Sequence, residues 1–162
     1  MKPGTFTQLY VQLVFAVKNR EAILHKSIRN RIFEYMSGII TQMNHKSIIV
    51  NGVSNHVHIF IGLNPTKTIS ETVHDIKRST SLFINDEKLC PYKFAWQDGY
   101  GGFTHSRSQI HDVYQYILNQ EEHHKKQTFR DEYIQYLKKF EIEYDERFLF
   151  DFLDDVEPLR GN

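Results

Sequence analysis

From Leu9 to Val17 every second residue is apolar (Leu9, Val11, Leu13, Phe15, Val17), and Tyr10 and Gln12 stand between the first three. A period of two puts one face against a core, so this stretch predicts a half-buried strand. The period then changes. Ile28, Ile32, Met36, Ile39 and Met43 recur at helical spacing, which predicts a helix over roughly residues 27–44. Ile48 and Val50 open a second strand, and Gly52-Val53-Ser54-Asn55 can turn. Val57, Ile59 and Ile61 then alternate as a third strand, closed by Pro65. Thr68 with Glu71 forms a capping-box pattern ahead of a helix whose buried face holds Ile69, Val73, Ile76 and Phe83. Lys93 to Trp96 predicts a short fourth strand, and Gly99-Tyr100-Gly101-Gly102 a flexible loop. Ser106 and Gln109 form a second capping box, opening a helix through Ile110, Val113 and Ile117, and residues 129–140 predict one more. The order β-α-β-β-α-β followed by helices predicts an α+β chain, a ferredoxin-like antiparallel sheet with extra C-terminal helices.

A chain of 162 residues with 40% apolar and 14% aromatic content fits one domain and excludes wholesale disorder. No apolar run approaches the roughly 18 residues of a membrane span, and the N-terminus lacks a cleavable signal pattern. The single Cys90 excludes an internal disulfide framework and a cysteine-rich zinc site. These features predict an intracellular protein. The formal charge is zero, which by itself argues against a nucleic-acid partner. Its distribution does not. Residues 1–110 carry 13 basic and 7 acidic side chains, net +6, whereas residues 111–162 carry 7 basic and 13 acidic, net −6. A basic body with an acidic tail is compatible with nucleic-acid binding.

His56-Val57-His58 lies within the third strand, where alternation projects both imidazoles from one face. Two neutral imidazoles so placed can share a divalent ion. Tyr116 and Gln120 stand four residues apart on a predicted helix, hence on one side of it. Tyr114 is a competing phenol, but its i+4 neighbour is Leu118, which cannot ligate. An ion, Mg²⁺ or Mn²⁺, on His56, His58 and Gln120 would polarise a phosphate for attack by the Tyr116 phenol. Nitrogen ligands suit Mn²⁺ better than Mg²⁺. Lys77 and Arg78, with Lys67 near the start of the same helix, are candidate phosphate contacts. His123 and His124 lie among Glu121, Glu122, Lys125 and Lys126, a context that favours a polar helix end over metal ligation.

His-Val-His on a strand followed by Tyr-Ile-x-Asn-Gln on a helix resembles the single-tyrosine HUH transposases of small bacterial insertion sequences and their REP-associated relatives. The resemblance runs from residue 5 to about 150. It takes in Tyr10-Val11-Gln12-Leu13-Val14-Phe15, Ile76-Lys77-Arg78-Ser79-Thr80-Ser81, Trp96 with Tyr100, and Gln120-Glu121-Glu122-His123-His124-Lys125-Lys126. It implies one domain over residues 1–150, with the tyrosine helix at about 107–126 and an acidic tail over 151–162. It further implies that His56, His58 and Gln120 hold the metal and that Tyr116 is the nucleophile. The tyrosine would cleave single-stranded DNA, leaving a 5′-phosphotyrosine link and a free 3′-OH, and rejoin strands by the reverse step. Hairpin DNA at element ends is the implied partner, bound by a homodimer with shared active sites in the bacterial or archaeal cytoplasm, at the nucleoid. The alternative is a domesticated or inactive hairpin-binding protein of the same fold. Asn55 departs from the family pattern, in which an acidic residue commonly precedes the histidine pair.

Overall fold

The structure, a computed structural model, describes residues 3–153. Its four strands are β1 (Tyr10–Ala16), β2 (Lys46–Gly52), β3 (His56–Gly62) and β4 (Gly101–His105). They form one antiparallel sheet in the order β2-β3-β1-β4. Helix α1 (Lys26–Gln42) connects β1 to β2, and α2 (Ile69–Asp86) connects β3 to β4. Three further helices follow: α3 (Ile110–Leu118), α4 (Gln120–His123) and α5 (Phe129–Lys139). This is the ferredoxin-like arrangement with additional C-terminal helices. No described helix is long and apolar enough to cross a membrane.

Both capping boxes form. Thr68 Oγ1 accepts from the Glu71 amide while the Glu71 carboxylate accepts from the Thr68 amide, and Ser106 and Gln109 do the same one turn before α3. Each satisfies amides that a helix start leaves unpaired. The turn between β2 and β3 closes tightly: a Cβ on Gly52 would run into the His56 carbonyl oxygen. Only glycine lets the chain return so closely, and the return sets the position of His56.

The fourth strand differs from the expected one. Lys93 to Trp96 contributes a single bridge, Val17 to Trp96, and the strand beside β1 is Gly101–His105. Two glycines expected in a loop therefore pair within the sheet. At Gly101 a side chain would collide with the Tyr133 ring of α5, so glycine here admits a close approach.

The central strands β1 and β3 are buried on both faces, Tyr10 and Gly62 at their ends being half-buried. Helices α1 and α2 cover the face bearing Leu13, Phe15, Val57 and Ile59, where Ile32, Met36 and Ile76 join one core. The opposite face carries Gln12, Val14, His56, His58 and Phe60, and α3 to α5 lie over it. Burial on both sides explains why β3, His56 and His58 apart, is apolar on both faces. At the C-terminal end, Asn55 Nδ2 donates to the Phe152 carbonyl (3.1 Å), Gln97 brackets the Asp151 backbone, and Leu153 is buried. The acidic tail expected at 151–162 lies outside the described residues from position 154 onward.

Candidate metal and nucleophile site

Alternation along β3 brings His56 and His58 to one face, with ring centroids 5.2 Å apart, and both are fully buried. Across β1 their register partners are Ala16 and Val14, small enough to leave room above the strand. His56 lies flat on Phe129 of α5 at 3.7 Å. Its Nδ1 is 2.7 Å from Asn55 Oδ1, and since Asn55 Nδ2 is engaged with Phe152, the Asn55 oxygen is the acceptor. The departure from an acidic residue at position 55 thus keeps the acceptor that orients this ring. Burial pushes the His56 pKa down to about 3, so the ring is neutral and its Nε2 presents a lone pair. The Gln12 amide meets His58 Nδ1 at 2.9 Å and also reaches Tyr136 and His105, which fixes the second ring.

The helices then add three groups. The Tyr116 hydroxyl on α3 donates to Glu132 Oε2 on α5, and Gln120 Nε2 on α4 donates to the same oxygen at 3.1 Å. The other carboxylate oxygen, Glu132 Oε1, lies 3.1 Å from His56 Nε2 and 3.0 Å from His58 Nε2. The structure therefore brings His56, His58, Tyr116 and Gln120 together within one chain. Chain geometry between Tyr116 and Gln120 differs from the single helix expected over 107–126, because Asn119 separates α3 from α4. Asn51 of β2 holds that break by donating to the Ile117 and Leu118 carbonyls at 2.9 and 3.1 Å. Beyond it, Arg29 of α1, itself buried, grips Glu121 at 3.1 Å and seats α4.

Glu132 is the residue that the sequence reading missed. It is 1% exposed and links every member of the cluster. Burial would raise its pKa, but the surrounding His58, His124 and His56 imidazoles outweigh that, holding the carboxyl well below its usual range. Burial and the adjacent Glu132 carboxylate push the Tyr116 phenol up, so it is protonated at neutral pH. The signal for Glu132 was available: Phe129, Glu132, Tyr133 and Leu137 form the buried stripe of α5, and a carboxylate on such a stripe needs a partner. His123 and His124 also depart from the polar helix end expected of them. His123 stacks on the Tyr116 ring at 4.3 Å, and His124 is buried.

His56, His58 and Glu132 offer ligand atoms within 4.8 Å of one another. A neutral His56 nitrogen facing a carboxylate oxygen sets two acceptors against each other, and a cation relieves that contact. Gln120 Oε1 is buried beside them without a hydrogen-bond partner. The donor set thus suits a divalent ion. A cavity of about 600 Å³ opens over it, lined by His105, Tyr116, Lys126, Glu132, Tyr136 and Lys139.

Lys67, Lys77 and Arg78 are not part of this cluster. Lys77 sits over the Phe15 ring at 5.3 Å, on the far face of the sheet. Its ammonium donates to the Gln97 and Gly99 carbonyls at 2.8 and 2.7 Å, tying the segment that leads into β4. Arg78 beside it is exposed, and Lys67 lies just before α2. The cations that line the cavity with Tyr116 are instead Lys126 and Lys139.

A family model described as "Transposase IS200 like" matches residues 5–120. Among solved structures, a Deinococcus radiodurans R1 protein described as a transposase superposes with a TM-score of 0.58 at 22% identity, covering 74% of this chain and 96% of that one. A REP-associated tyrosine transposase bound to a REP hairpin superposes with a TM-score of 0.53 at 11% identity, covering 76% and 74%. At such identities these two likenesses speak to the fold. No curated protein matches the chain significantly.

Proposed function

The chain belongs to the IS200-like transposases, and from that premise we propose that it cleaves and rejoins single-stranded DNA through Tyr116. The observation that carries this reading is the Tyr116 hydroxyl, directed at Glu132 beside the His56–His58 pair and open to the cavity above. His56, His58, Gln120 and Glu132 would hold a divalent ion, Mg²⁺ or Mn²⁺, which when bound neutralises charge on the scissile phosphate.

The protein's own groups do the rest. A phenol made harder to ionise needs a base, and Glu132 Oε2 already accepts its hydrogen. The phenol oxygen bonds to phosphorus as its proton passes to Glu132. The P–O3′ bond breaks, and the departing 3′-oxygen takes a proton from water. The result is a 5′-phosphotyrosine link and a free 3′-OH. Rejoining reverses these steps, with Glu132 returning the proton to Tyr116. Bond energy is kept in the tyrosine ester, so no nucleotide hydrolysis is required. Asn55 and Gln12 hold the imidazoles, and Asn51 holds the end of the tyrosine helix.

Tyr116 lies beside the histidine pair of its own chain, which supports action in cis, and a homodimer would present two such sites to two hairpins. Hairpin DNA is the proposed substrate. Lys126 and Lys139 flank its path to Tyr116, and Lys67 and Arg78 are phosphate contacts remote from the chemistry. Incubating the protein with single-stranded hairpin oligonucleotides and Mn²⁺ should give a covalent adduct that resists denaturant. Tyr116→Phe should abolish the adduct while hairpin binding persists. An undiminished adduct in that variant would refute the assignment.

A further inference from the structure

His124 was set aside on sequence grounds, yet it is 2% exposed and turned inward. Its amide donates to the Gln120 carbonyl at 3.0 Å, so His124 lies one helical turn beyond Gln120 on the same side. Its Nδ1 is 3.0 Å from the Gln127 carbonyl oxygen, which can only accept. Nδ1 therefore carries the hydrogen, and in the neutral ring Nε2 is a bare lone pair. That buried Nε2 makes no hydrogen bond. It lies 3.2 Å from Glu132 Oε1, the oxygen that also faces His56 and His58. Three imidazole nitrogens, at 3.0, 3.1 and 3.2 Å, thus converge on one carboxylate oxygen. A backbone carbonyl that fixes the tautomer of an inward-pointing imidazole is the usual support of a metal-bound histidine. His123, next in the chain, has no such arrangement; its ring is spent on Tyr116.

We propose that His124 is a further metal ligand, joining His56, His58, Glu132 and Gln120 in a centre with three histidines. Three nitrogen donors favour Mn²⁺, Co²⁺, Ni²⁺ or Zn²⁺ over Mg²⁺, which prefers oxygen and keeps its waters. The inference rests on the reading that the His56–His58 cluster holds the ion. It deepens that reading by adding a ligand and, with it, a preference among ions.

The full chain, stripped with EDTA, is titrated with Co²⁺ and followed by visible absorption, and with Mg²⁺ by calorimetry. Co²⁺ should bind more tightly than Mg²⁺. His124→Ala should weaken Co²⁺ binding by at least about tenfold and change its absorption bands, with His123→Ala leaving both as in the wild type. In the unmutated protein, Zn²⁺ should shift three imidazole Nε2 resonances in ¹⁵N spectra, a readout independent of whether His124→Ala folds. Two shifted resonances, or unchanged Co²⁺ affinity and bands in a folded His124→Ala, would overturn the ligand assignment and leave the two-histidine site standing. Failure of the unmutated protein to bind any of these ions would instead overturn the metal reading itself.

Discussion

Replacing Gly101 by alanine tests whether β4 is built around a missing side chain. A Cβ there would lie 2.8 Å from both Cε1 and Oη of Tyr133 and 3.1 Å from Phe103 Cε2. Carbon atoms rest at about 3.5–4.0 Å, so the Tyr133 ring must retreat by about 0.7–1.2 Å. It has little room, with ring centroids 5.0 Å from Phe150 and 5.8 Å from Phe129. Overpacking of this kind costs about 1–3 kcal/mol. Restricting the unfolded chain at a former glycine returns about 0.4–1 kcal/mol. The net loss is therefore about 0–2.6 kcal/mol, centred on about 1.3 kcal/mol, a fall in Tm of up to about 10 °C for a chain of this size. Urea and thermal melts in EDTA measure it. In a Tyr133→Leu background the clash is gone, and Gly101→Ala should become neutral or stabilising, giving a coupling of about 1–3 kcal/mol. An equal cost in both backgrounds, or no cost in either, would refute the packing explanation.

Without metal, stability should fall as pH drops below about 6.5, because His56 stays neutral in the fold down to about pH 3 while the unfolded chain takes up its proton near the ordinary value. Glu132, held below its usual range, adds to the loss in the same direction at lower pH, and urea melts from pH 7 to 4 should show a continuous decline. Lys77→Met should cost about 1–2 kcal/mol through its two carbonyl partners, discounted for partial exposure, and leave the salt dependence of hairpin binding unchanged. Arg78→Ala should do the reverse, changing stability by less than about 0.5 kcal/mol and lowering the salt slope by about one.

Elements with local signals were readable from the sequence. The alternation of β1, the periodicity of α1 and both capping boxes depend on residues within a few positions of each other, and each appears in the structure. β4 was not readable, because glycines at 101 and 102 mimic a loop and their reason is Tyr133, far along the chain. The His56, His58, Tyr116 and Gln120 set, singled out by spacing and resemblance, lies together in the structure around Glu132. Glu132 and His124 were passed over for opposite reasons. Glu132 sits 76 residues from His56 on a helix of low mean hydropathy, and His124 is hidden in a run of charged neighbours whose side chains face outward.

The covering of β1 and β3 on both faces has a consequence for how nucleic acid can be handled. In four-stranded sheets of the RNA-recognition type, an open face serves as a platform on which bases stack. Here that face is roofed, and its centre is given to imidazoles and a glutamine instead of exposed aromatics. The cavity beside Tyr116 is walled mainly by α3 and α5, so a DNA strand reaching that hydroxyl would approach along helices and not across the sheet.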